Sequence, residues 1–137
     1  MAWRAGFGTI VSSRWGETED VPFAEDIEDL LQLTGIDGGV ALHYRDAGFR
    51  ARLSWQKEHF PGLLIWYSNR GRTAYPWGGR HVALGVEPVA SAFDLGPAVS
   101  TAANPLARAG TPTALAFAPD RPFLTRYRLS AEPAPTG

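Results

Sequence analysis

Residues 63–68 read LLIWYS, and residues 81–88 read HVALGVEP. The first run is apolar and of strand length. That is the pattern of a strand covered on both faces, as at the centre of a sandwich. The second run alternates. Val82, Leu84 and Val86 point to one face, and His81, Ala83, Gly85 and Glu87 to the other. Between the two lies a loop over 69–80, rich in Gly, Arg and aromatic residues.

Upstream, Phe49, Ala51, Leu53 and Trp55 alternate with Arg50, Arg52 and Ser54, which predicts a half-buried strand. It pairs with 40–44 across a hairpin loop at 45–48, and Asp37-Gly38-Gly39 is a turn signal before it. Residues 30–34 read as a strand or as the end of a helical turn over 25–31, where Ile27, Leu30 and Leu31 stand at helical spacing. The acidic stretch 14–29 reads as a solvated loop, and 7–13 as a first strand. Downstream, 90–109 is Ala-, Gly- and Pro-rich and reads as an irregular excursion. Residues 114–118 and 124–129 read as a final strand pair, and 131–137 as a frayed tail. Many short strands with turns between them predict an all-β fold, an antiparallel β-sandwich, as one domain over 1–137.

Composition narrows the function. Thirteen basic and 14 acidic residues give a net charge of −1, without the basic surplus that phosphate neutralisation needs, so nucleic acid is not the expected partner. There is no cysteine, which excludes disulfides and thiolate metal sites. No apolar run is long enough to span a bilayer, and the opening Met1 to Gly6 lacks the order of a signal peptide, so a cytoplasmic protein is expected.

Chemistry concentrates between His59 and Asp94. Ala83 and Gly85 leave open volume beside Glu87, and a carboxylate there requires either a partner or a cavity holding water or ligand. An ion pair with Arg72 or Arg80 is one solution; a general base in a ligand cavity is the other. Trp66, Tyr67, Tyr75 and Trp77 lie near Asn69, Arg70, Arg72 and Arg80, a mix of flat apolar walls and hydrogen-bonding groups suited to a sugar. Trp66, Asn69, Arg72, Trp77 and His81 are the candidate contacts. The three histidines, His43, His59 and His81, fit no metal motif.

PGLLIWYSNRG, a Gly-rich loop, VALGVEP and FDLG together resemble the closing strands of the galactose mutarotase-like (aldose 1-epimerase) superfamily. VALHYRDAGFRARLSW is similar to the strand pair that precedes them there. The resemblance implies the C-terminal half of a large antiparallel supersandwich. It also implies a cofactor-free isomerase acting on a sugar or sugar phosphate, with Glu87 as the base that takes the anomeric proton. The family's acid is a histidine from the first half of the fold, and none of this chain's histidines stands in a matching motif. Three alternatives remain: a non-catalytic carbohydrate-binding sandwich, a truncated member without activity, and a structural or interaction domain whose Glu87 only pairs with an arginine. A half-sandwich also exposes strand edges, so a homodimer through a sheet edge is expected.

Overall fold

The computed structural model describes residues 2–5, 19–20, 25–44 and 47–133. The strand expected over 7–13 lies outside them. Among the described residues, eight strands form two antiparallel sheets. The strands are β1 (Ala2–Ala5), β2 (Glu19–Asp20), β3 (Ile27–Thr34), β4 (Gly39–Tyr44), β5 (Phe49–Trp55), β6 (Gly62–Asn69), β7 (Val82–Val89) and β8 (Tyr127–Pro133). One sheet has the order β2-β1-β4-β5-β8 and the other β3-β6-β7. No helix of the described residues is long and apolar enough to cross a membrane.

The all-β sandwich expected from the sequence is what the chain forms, and the β6 pattern explains why. Leu63, Ile65 and Tyr67 are fully buried and meet Val40 of β4 and Trp55 of β5, with Leu42 and Leu53 packed alongside. Leu31 and Leu33 of β3 and Leu84 and Val86 of β7 flank them. These residues recur every second position, so each strand turns one face inward and the two sheets close over one core. The predicted alternation of β7 holds: Val86 and Leu84 lie opposite Ile65 and Tyr67 in the ladder. The β4–β5 hairpin also holds, with Tyr44 stacked on Phe49 at its loop end, ring centroids 4.4 Å apart.

Four expectations are corrected. Residues 25–31 form no helical turn, because Ile27–Thr34 pairs along its whole length with β6. That ladder satisfies the backbone groups of β3 that face β6 along all eight residues, and tertiary pairing outweighs local spacing. Residues 114–118 are not a strand. The last strand starts at Tyr127 and runs to Pro133, where pairing with β5 fixes its register, so Ala131, Glu132 and Pro133 belong to β8 and not to a tail. The excursion at 90–109 contains two short helices, α1 (Gly96–Thr101) and α2 (Pro105–Arg108). Asn104 holds them together. Its Oδ1 caps α2 by accepting from the Ala107 amide at 3.0 Å, while its Nδ2 donates to Thr113 Oγ1 at 2.8 Å.

Candidate functional site

The outer face of the three-stranded sheet carries the site. Core-facing positions of β6 are odd-numbered, so Leu64, Trp66 and Ser68 face outward. The ladder aligns Glu28 with Ser68 and Ala83, Leu30 with Trp66 and Gly85, and Gln32 with Leu64 and Glu87. One end of this face is roofed. Gln32 Nε2 donates to the Ser91 carbonyl at 2.8 Å, and its Oε1 accepts from the Phe93 amide at 2.6 Å, tying the helical excursion over Leu64. A groove of about 390 Å³ remains there, lined by Leu64, Ser91, Phe93, Asp94, Ser100 and Thr113 among others.

Glu87 is the ladder partner of Leu64, one wall of this groove, but does not itself line it. Its side chain is exposed and leans back over Gly85, where a Cβ would lie 2.9 Å from its Oε1. The same point is 3.0 Å from Trp66 Cβ and 3.3 Å from Trp66 Cε3. Gly85 is thus the space that lets the indole lie flat against β7 with the carboxylate next to it. Neither Arg72 nor Arg80 pairs with Glu87, and no described residue hydrogen-bonds it.

Arg72 instead binds Glu28, whose carboxylate gathers three donors. Arg72 Nε reaches Oε1 at 2.7 Å, Trp66 Nε1 donates to the same oxygen, and Ser68 Oγ reaches Oε2 at 3.0 Å. Burial raises the Glu28 pKa, but these hydrogen bonds and the Arg72 charge outweigh it, and the carboxyl is held below its ordinary value. Gly71 makes the approach possible. A Cβ there would fall 2.8 Å from the Glu28 amide nitrogen and 2.8 Å from the Ile27 carbonyl carbon. Only glycine lets the loop pass this close to β3.

The loop between β6 and β7 closes on itself through two backbone bonds, Arg70 N–H to the His81 carbonyl and Gly79 N–H to the Arg72 carbonyl, each 2.8 Å. It lays Trp77 against His81, ring centroids 4.5 Å apart. His81 stacks on Trp66 at 5.5 Å and 24°. The Arg72 guanidinium sits over Trp66 at 4.7 Å and over Trp77 at 5.4 Å. His81 Nδ1 is 2.8 Å from Ser68 Oγ.

Trp66, Arg72, Trp77 and His81 therefore converge on one face, with Glu87 on the other side of the Trp66 ring. Asn69 does not join them. It shares the inward parity of Leu63 and Tyr67, is 1% exposed, and donates through Nδ2 to the Glu25 carbonyl. Glu28, Ser68 and Gly71 are the site residues that the sequence reading missed.

No family model matches this chain, and no curated protein or solved structure is significantly similar to it. The chemistry rests on the residues themselves. They offer an unpaired carboxylate, an aromatic wall and an imidazole, which is a set that can hold a polyhydroxylated ring and accept its protons.

Proposed function

We propose that the outer face of β3, β6 and β7 binds an aldose, free or phosphorylated, and that Glu87 serves as general base for anomer interconversion, an aldose 1-epimerase-like isomerisation. The observation that carries this reading is Glu87: an exposed carboxylate with no protein partner among the described residues, set next to the Trp66 indole over Gly85. A structural glutamate at this position would take one of the neighbouring arginines, and Arg72 is spent on Glu28. In the reaction, Glu87 takes the anomeric hydroxyl proton, the bond from C1 to the ring oxygen breaks, and the ring oxygen takes a proton from an acid. Rotation about C1–C2 and reclosure give the other anomer, and the proton returns. The part of Trp66 left uncovered by Arg72 and His81 supplies an apolar surface for the C–H groups of the ring.

A second reading, carbohydrate binding without turnover, is favoured by the position of His81. It stands six residues from Glu87 along β7, roughly 20 Å between backbone positions at ~3.3 Å per residue, and the two side chains reach the Trp66 ring from opposite sides instead of meeting over one anomeric centre. NMR exchange spectroscopy on a panel of aldoses and hexose phosphates separates the two. Faster anomer exchange that disappears in Glu87→Gln supports the isomerase. Binding without acceleration supports the second reading, and absence of binding to any sugar removes both.

The partner that suits the free edge of β8 is a second copy of the chain. Tyr127 and Leu129 are 76% and 71% exposed, and Tyr127 borders an apolar groove of about 320 Å³ that reaches Leu53, Trp55 and Pro88. In an antiparallel self-pairing centred on Ser130, Arg128 would stand opposite Glu132 of the other copy, and Leu129 opposite Ala131.

A further inference from the structure

The polar end of the outer face contains a hydrogen-bonded chain: Glu28 Oε2, Ser68 Oγ at 3.0 Å, and His81 Nδ1 at 2.8 Å from Ser68. Its direction follows from counting protons. The Glu28 carboxyl is held below its ordinary value by the three donors around it, so at neutral pH it only accepts. Ser68 is 2% exposed and has one hydroxyl proton, which goes to Glu28. Its oxygen is then left to accept, and the only group at hand to donate is His81 Nδ1–H. A neutral imidazole with its proton on Nδ1 has its lone pair on Nε2. That nitrogen has no partner among the described residues and is not a buried atom, so it is open to solvent between Trp66 and Trp77.

We propose that Glu28 and Ser68 are positioning residues that lock His81 in the Nδ1–H tautomer, so that Nε2 accepts a hydrogen bond from a ligand hydroxyl. The ligand part rests on the sugar reading above; the lock does not. Together with Glu87, this gives the face two acceptors, one on each side of the Trp66 ring. The ligand class that suits Nε2 is a polyol, which can donate a hydroxyl to it. The arrangement differs from a nucleophilic serine triad, because here the serine is the buried middle of the chain and hands its proton to the carboxylate rather than to the imidazole.

The lock is read by long-range ¹H–¹⁵N correlation on the neutral His81 ring in the wild type, Ser68→Ala, Ser68→Thr and Glu28→Gln, each verified as folded by near-UV circular dichroism. The expected result is a protonated Nδ1 in the wild type and in Ser68→Thr, and loss of that preference in Ser68→Ala and Glu28→Gln. A wild-type His81 protonated on Nε2, or a tautomer that none of the variants moves, overturns the lock. The ligand part is read by titrating the best-binding aldose and its monodeoxy analogues. One analogue should bind at least about tenfold more weakly to the wild type, a single hydrogen bond's worth, and Ser68→Ala should lose that discrimination. Equal binding of all analogues overturns the acceptor role. If no aldose binds while the lock is seen, the sugar reading fails and takes the acceptor role with it, whereas the lock stands.

Discussion

Gly85→Ala tests the packing on which the outer face depends. Gly85 is opposite Trp66 in the β6–β7 ladder and has ordinary negative φ, so the backbone tolerates alanine and only space opposes it. The new methyl would fall 2.9 Å from Glu87 Oε1, 3.0 Å from Trp66 Cβ and 3.3 Å from Trp66 Cε3. The carboxylate is the end of a flexible chain and moves aside at little cost. Trp66 Cβ is fixed by strands on both sides, and the indole is held by Glu28, Arg72 and His81. Relief therefore comes from tilting the indole or parting the strands. Overpacking of this kind costs about 1–3 kcal/mol. The lower entropy of an unfolded alanine returns roughly 0.4–1 kcal/mol. The expected net destabilisation is about 1–2 kcal/mol, a fall in Tm on the order of 3–8 °C for a domain of this size. Urea and thermal unfolding measure it, and the shift of the Trp66 indole resonance reports the tilt. A variant as stable as the wild type with an unmoved indole would refute the argument that Gly85 is the space Trp66 needs.

Gly71→Ala is expected to cost more than Gly85→Ala by the same assay, because its contacts at 2.8 Å are with the β3 backbone, which cannot step aside. Glu28 makes stability depend on acid. Its pKa is lowered in the folded chain, so its contribution is complete above the ordinary glutamate range and is lost as pH falls through the lowered value. Urea midpoints across acid pH should therefore decline less steeply in Glu28→Gln than in the wild type. The β8 pairing predicts a concentration-dependent dimer by light scattering, weakened by Arg128→Glu, which faces like charge at Glu132 of the other copy; a wild-type monomer at all concentrations would discard it.

Alternation and burial were legible where residues faced a core. LLIWYS and VALGVEP carried enough apolar signal to fix β6 and β7 as strands and the inward face of β7, whereas LLIWYS read as covered on both faces and hid which side carries Trp66. Glu28 was hidden because its neighbours Glu25, Asp26 and Asp29 make an acidic run that reads as a solvated loop. Only the pairing of β3 with β6 brings Glu28 beside Ser68, and that register is set by a contact 40 residues away in sequence. Strand parity over Glu28, Leu30 and Gln32 was the available signal, but it was obscured by Leu31 and Leu33 on the other face. Arg72 was foreseen near the site, yet its partner was not. Whether it turned to Glu87 or to Glu28 depended on the path of the loop past Gly71. Asn69 shows the reverse error, since a polar residue beside Trp66 in sequence lies across the strand from it in space.

The central claim is that Trp66, Glu87 and His81 face a sugar. The most direct measurement is a ¹H–¹⁵N titration of the labelled protein with the aldose panel, following the indole N–H signals of Trp66 and Trp55. The Trp66 indole bonds Glu28 on the outer face, whereas that of Trp55 bonds the Phe60 carbonyl at 2.8 Å beside the core. The account predicts that an aldose shifts Trp66 and His81 in a saturable way, leaves Trp55 still, and loses its effect in Glu87→Gln. Trp66 and His81 signals that stay fixed at saturating sugar, or that move no more than Trp55, would contradict it.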